Sequence, residues 1–419
     1  MKTIIMITFS LISISAFSAE MNSVQGFNLT ETGQFIYTAN PEGEDKSQAQ
    51  DVIDSLKGLG VNHIVLNVRA KMESPFSSEI IPLTGTGSVS QEARNMISLI
   101  RYIHDQDMTV GIRPIFFVVG ADGEFPYIDD DGKIWWHGNI QPADPNRWFE
   151  SFRNYMDRYI SISRLGRVEE FTIGAELYSM TVGLEDQWFE HPFGFPGKWL
   201  ELLNYTRERL GDEVRIMYDI NFTDATENSG TLAKGGGELE RWRYRLVDLA
   251  DPSDPAEYEI WRNLVDFWNG LDAIGIDMYR TLAFESDDVP TDFREASDLL
   301  TTRAREYASQ LDLVLFEISI STGEETPAIL KEVGFRSVEN GYIDPFNYAT
   351  KTGVYNELHQ AIGYDALFRG FWEPEFEWFA GFVFWDTPIH PRLHGPQDLG
   401  FSPIGKPTTE EVIREYFVE

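Results

Sequence analysis

Cysteine is missing from all 419 residues. Its absence excludes disulfides, thiolate metal sites, a cysteine nucleophile and a lipid-modified cysteine behind a leader, so a large core must hold the chain together. Positive charge is scarce as well: 34 Lys+Arg stand against 68 Asp+Glu, a formal balance of −34. A field of that sign repels nucleic acid, acidic polysaccharides and anionic membrane surfaces, and leaves neutral or cationic ligands. Histidine is sparse and forms no H-E-x-x-H; the one helical spacing, His390 with His394, is interrupted by Pro391. No metal is therefore expected. The turn Asp129-Asp130-Asp131-Gly132 lacks the rest of a twelve-residue calcium loop and reads as solvated. With no G-x-G-x-x-G after the first strand, no G-x-S-x-G and no P-loop, dinucleotide, serine-hydrolase and phosphoryl-transfer chemistry have no anchor, and no cofactor is expected.

Apolar residues supply 42% of the chain and aromatics 14%, enough for a large core. Residues 1–18 read as a secretory signal: Lys2, an apolar stretch from Ile4 to Phe17, and small Ala16 and Ser18 before a cut at Ala19. No later run is long and apolar enough to span a bilayer. The expectation is an exported protein, periplasmic or extracellular, whose residues 19–419 form one domain.

Short runs of β-branched and aromatic residues then alternate with segments of helical spacing, the pattern of parallel βα units. The strands are expected at Gln25–Thr30, Val61–Arg69, Thr109–Val118, Val168–Leu177, Glu213–Asn221, Leu271–Tyr279, Thr326–Val333 and Phe379–Trp385. Ser88 with Gln91, Asp144 before Pro145, and Thr408 with Glu411 mark helix starts. Phe293 to Thr322 reads as helix, and Thr223 to Pro255 as an insertion between strands five and six with a short helix around Glu238–Leu249. Eight strands alternating with helices favour a single-domain α/β (β/α)8 TIM barrel.

In such a barrel, chemistry sits where strands end. Glu176 closes strand four and Glu332 closes strand seven, on opposite sides of the ring. Two carboxyl groups facing across the mouth are what glycosidic hydrolysis needs, one to protonate the leaving oxygen and one to attack the anomeric carbon. Glu317 is a rival for the second role if Leu313–Glu317 were a strand. Trp385 ends strand eight and Trp136 follows the third strand, both as platforms for pyranose faces. Asp277 and Tyr279 end strand six, where Tyr279 can hydrogen-bond Glu332. Arg69 and Lys71 follow strand two as candidates for hydroxyl contacts.

The stretches Trp136-His137-Gly138-Asn139-Ile140, Trp148-Phe149-Glu150-Ser151-Phe152, Ile173-Gly174-Ala175-Glu176-Leu177 and Glu332-Val333-Gly334-Phe335-Arg336-Ser337 together resemble glycoside hydrolase family 113. The resemblance implies a retaining endo-β-1,4-mannanase with Glu176 as acid/base and Glu332 as nucleophile. The choice of mannan rests on it alone; other neutral β-glycans, or a carbohydrate-binding barrel without catalysis, are the alternatives. One position departs: the clan's usual Asn before the acid/base is Ala175 here, and Asn221 at the end of strand five is the residue that could take over its contact. The expected partner is a neutral polysaccharide or oligosaccharide, and the chain is expected to be monomeric.

Overall fold

The computed structural model describes residues 24–30, 47–83, 88–120, 125–223, 237–345, 347 and 352–418. The expected leader, residues 1–18, lies outside them, as does much of the insertion, residues 224–236. Eight parallel strands form the sheet: β1 Val24–Thr30, β2 His63–Met72, β3 Thr109–Val118, β4 Glu170–Ala175, β5 Arg215–Thr223, β6 Ala273–Tyr279, β7 Ala328–Glu332 and β8 Phe379–Pro388. Neighbours pair in chain order, and β1 pairs with both β8 and β2, which closes the ring into a (β/α)8 barrel.

The strand ends differ from the sequence reading in both directions: β4 is shorter at both ends, stopping at Ala175 just before Glu176, β6 starts at Ala273 and β7 spans only Ala328–Glu332, while β2 and β8 end later than expected. β2 runs on to Met72 because Lys71 and Met72 pair with Phe117 and Val118 of β3, while a two-residue strand, Ile81–Pro82, folds back on Ala70 and Lys71. β8 continues to Pro388 alongside Leu29 and Thr30 of β1. Helices begin where their caps predict: the Ser88 hydroxyl accepts from the Gln91 N–H, and the Asp144 carboxylate from that of Arg147. The helix Phe293–Thr322 starts on Asp292 and stops at Gly323, whose φ is 84°. The last helix corrects the reading by one residue. It starts at Pro407, and the Thr408 hydroxyl donates to Glu357 at 2.8 Å. The short helix after β5 is α-helical only over Glu238–Arg243 and widens into a π turn over Tyr244–Asp248.

Apolar residues between strands and helices make the main core. Inside the barrel, Val24, Val65, Met217, Ala273, Ile329, Ala380 and Val383 form a small plug. Two-residue alternation along each strand then carries polar groups inward: Val65 is followed by Asn67, Met217 by Asp219 and Asn221, Ala273 by Gly275, Asp277 and Tyr279. Gly275 is required there, because a Cβ on it would lie 2.0 Å from Asp219 Oδ1. Buried Glu170 carries an ion pair to Lys331, accepts from Arg215 at 2.9 Å and stands 3.5 Å from His63 Nε2. Burial pushes both Lys331 and His63 well below their ordinary pKa values. Charge inside this barrel is therefore paired rather than absent, as burial demands.

Candidate active site

Glu332 reaches the mouth through a fault in the sheet. Leu330 packs in the outer core, so strict alternation would send Glu332 outward too. The β6–β7 register shifts between Leu330 and Glu332 instead, and the irregularity re-aims the side chain. Glu176 follows a similar shift between Thr172 and Ala175 in the β4–β5 pairing. Its backbone is left-handed, with φ at 53°, a conformation that costs a non-glycine residue of order 1–3 kcal/mol. Two hydrogen bonds hold it there: the Glu176 N–H donates to Asp219 O at 2.9 Å, and the Leu177 N–H to the Tyr218 hydroxyl at 2.9 Å.

Beneath Glu332 lies Arg113 of β3. Its Nε donates to Asp219 at 2.5 Å, one terminal nitrogen to Asp277 at 2.7 Å, and the other to Glu332. Exposure separates the roles: Arg113 is 1% exposed and both aspartates 0%, whereas Glu332 and Glu176 keep 13% and 12%. Only the two glutamates of this set open onto the mouth. One guanidinium cannot neutralise three carboxylates in a dry interior. Burial raises Asp219 to about 6 and Asp277 well above its ordinary value, against the pull of Arg113. Glu332 is raised by burial and by the charge of Glu176, opposed by Arg113 and by the Tyr279 hydroxyl, which donates to it at 2.8 Å. Of the three carboxylates on Arg113, Glu332 is the one that also has a phenol donor and access to solvent.

Glu176 has different company. His137 Nε2 lies 3.0 Å from its Oε2, and Asn221 Nδ2 donates to its Oε1 at 2.5 Å. Burial would raise this carboxyl, but His137 and Asn221 outweigh burial and hold it below its ordinary value. Behind Asn221 stands Glu238, with no exposed surface. Burial raises Glu238 to about 8, against donors from Trp242 and Tyr218. Because the folded-state value lies above the unfolded carboxyl, near 4.5, the folded form holds the proton more tightly. Its contribution to stability is then complete below about 4.5 and lost as pH rises through 8. In calorimetric melts, Glu238→Gln should therefore show a shallower fall in Tm between these limits than the parent; parallel curves would refute the assignment.

The segment Glu332-Val333-Gly334-Phe335-Arg336-Ser337 fastens β7 to β8 and the chain's tail. Val333 O accepts from the Trp385 N–H at 2.9 Å. Arg336 Nε donates to Leu399 O at 3.1 Å, its terminal nitrogen donates to Thr352 O, and Ser337 bonds Asp398 O and Gly400 O. The following Lys406 is fully buried and donates to Asp398 and Ser402 O. A Cβ on Gly334 would sit 2.1 Å from Trp385 O. Gly334→Ala should thus displace Trp385 and Glu332 together and cost at least about 10-fold in kcat/KM, consistent with the sensitivity of such sites to 1 Å shifts; unchanged kinetics would show that the backbone there has room.

The sequence candidates fall into groups. Glu176, Glu332, Tyr279, Asn221 and half-buried Trp136 and Trp385 lie around the mouth; Trp136 packs its ring 4.7 Å from His137 and 5.4 Å from Tyr178. Asp277 lies beneath them on Arg113, without surface. Arg69 stacks over Phe117 at 5.6 Å and contributes charge near Asp386. Lys71 pairs with Glu73 at 3.3 Å, both partly in solvent. Glu317 sits on the outer helix and pairs with Arg243, away from the mouth. The Asp129 carboxylate accepts from the backbone of Asp131 and Lys133 and from the Trp135 indole, so its turn is closed on itself. Sequence reasoning gave no role to Arg113, His137, Asp219 or Glu238. Arg113 left a signal, a charge inside the apolar run Val110–Ile115, and such a charge is buried only when paired. Among the described residues, no group of three or more His, Asp or Glu could hold a metal ion.

Comparison with known proteins agrees with this geometry. The model of Glycoside Hydrolase Family 113 matches residues 34–191 and 256–406. Among solved structures, a GH113 β-mannanase from Alicyclobacillus acidocaldarius in complex with ManMIm gives a TM-score of 0.61 at 19% identity, over 95% of this chain and 97% of that one. A GH113 β-1,4-mannanase complex gives 0.59 at 18% identity, over 95% and 99%. At such identities the likeness is one of fold. No curated protein matches the chain.

Proposed function

Because the chain belongs to glycoside hydrolase family 113, we propose that it is a retaining, endo-acting hydrolase of β-1,4-mannan, working by double displacement with Glu332 and Glu176. In the first step a Glu332 oxygen attacks the anomeric carbon while Glu176 gives its proton to the departing glycosidic oxygen. In the second, Glu176 takes a proton from water, and the resulting hydroxide displaces Glu332 from the glycosyl ester. The observation that carries this reading is the contrast in support. Glu332 accepts from the Arg113 guanidinium and the Tyr279 phenol, which oppose the rise that burial and the Glu176 charge impose on it, whereas Glu176 opens onto the same mouth between His137 and Asn221.

Support for mannan comes from family membership and from the β-mannanase names of the matching structures. The acid-rich composition favours a neutral polysaccharide over a polyanion. Half-buried Trp136 packs on His137, which touches Glu176, and half-buried Trp385 bonds through its backbone to Val333, next to Glu332. The leader-like residues 1–18 support export. The test is reducing-sugar release from β-mannan, glucomannan, β-glucan and xylan at mildly acidic pH. Release from mannan and glucomannan alone supports the reading, release from another glycan alone moves the specificity, and silence on all four from folded protein contradicts it.

A further inference from the structure

The two-carboxylate mechanism gives no task to Glu238, which is fully buried. Glu238 Oε1 accepts from the Tyr218 hydroxyl at 2.9 Å, the Trp242 indole at 3.0 Å and the Thr181 hydroxyl at 3.3 Å; its Oε2 accepts from the Asn221 N–H at 3.3 Å. Two of these partners lead straight to Glu176. The Tyr218 hydroxyl accepts from the N–H of Leu177, the residue after Glu176, and Asn221 donates its side-chain amide to the Glu176 carboxyl. Backbone and side chain of the acid/base candidate are thus tied to a single point behind the barrel wall.

The chain makes an effort to bring Glu238 there. Gly237 is left-handed, with φ at 65°, and a Cβ on it would lie 2.3 Å from Asn221 Oδ1, so only glycine lets the backbone pass so close. Tyr218, Asn221 and Glu238 all belong to residues 192–255, the stretch lying between the two segments that the family model matches. The arrangement stands close to Ala175, the neighbour of Glu176. We propose that Glu238 is a positioning residue for Glu176: through Asn221 and Tyr218 it fixes the carboxyl in the orientation that protonates a poor leaving group. This rests on the reading of Glu176 as the acid/base.

A side chain that orients a general acid matters only when the leaving oxygen needs the proton. The experiment compares Glu238→Ala, Glu238→Gln and Tyr218→Phe with the parent on β-mannan and on a 2,4-dinitrophenyl β-mannobioside, whose phenolate departs unaided. Azide, a nucleophile that needs no general base, is added to the second substrate, and thermal melts are recorded for every variant. The expected result is a kcat/KM loss on mannan of about 10–10³-fold, within the roughly 10²–10⁴-fold that general acid catalysis supplies. On the aryl substrate kcat/KM should change by no more than a few-fold, and azide should raise turnover and yield the β-glycosyl azide. Equal losses on both substrates, following the drop in Tm, would overturn the proposal and leave Glu238 a core residue. Tyr218→Phe keeps the carboxyl and removes one tie, so it decides the matter if the Glu238 variants fail to fold. Glu176→Ala, run in parallel, separates the two failures. If it lacks the signature, the acid/base reading falls; if it alone has the signature, only the positioning role falls.

Discussion

Glu332→Gln is expected to lose turnover of β-mannan by roughly 10⁴–10⁶-fold, the scale seen when a covalent catalytic set loses its nucleophile. The amide keeps the shape of the side chain and its access to solvent, but it carries no charge to attack with and cannot form the glycosyl ester. It also presents an NH2 to a cluster that already donates from Arg113 and Tyr279, so some rearrangement of those two groups should follow. Substrate binding should survive within a few-fold, because Trp136 and Trp385 are untouched. Isothermal titration of the variant with mannohexaose, beside the kinetic assay, separates the two effects; wild-type turnover in the variant would remove Glu332 from the chemistry.

Arg113→Met should cost about 3–5 kcal/mol of stability, the penalty of breaking a buried ion pair from one side. Asp219 and Asp277 have no exposed surface, and both would lose the guanidinium they share. Lysine is a poor substitute because its single ammonium cannot reach three carboxylates arranged around a fork. The deficit should also depend on pH with a definite sign. Asp219, already raised to about 6 with the arginine present, rises further without it, so the aspartates protonate in the variant and the loss shrinks as pH falls. Urea melts at pH 5 and pH 8 measure this, with the larger deficit expected at pH 8. Equal deficits would mean that packing around Arg113, and not its charge, is what the protein needs.

The frame of the molecule could be read from the chain because its signals are local. Alternating runs and caps mark the eight strands and the helix Phe293–Thr322, and carboxyl groups at the ends of strands four and seven point to a glycosidic site. The support beneath them could not be read, because its contacts are not local. Arg113 meets Asp219, Asp277 and Glu332 across 106, 164 and 219 residues, and no spacing rule connects such positions. The aim of Glu332 depends on a register shift that the sequence of β7 does not announce. Lys71 illustrates the opposite case: its position after β2 suggests a ligand contact, yet Glu73 is nearer and takes it. Glu238 lay within an insertion read for its glycines, and its role emerges only once Asn221 and Tyr218 are seen to converge on it.

The most direct measurement is the configuration of the first product, followed by proton NMR as the enzyme cleaves mannohexaose in deuterated buffer. Attack by Glu332 followed by attack of water inverts the anomeric carbon twice, so the new reducing end should appear first as the β-anomer and only later mutarotate. An α-anomer as the first product would contradict a covalent intermediate on Glu332, and with it the assignment of both glutamates.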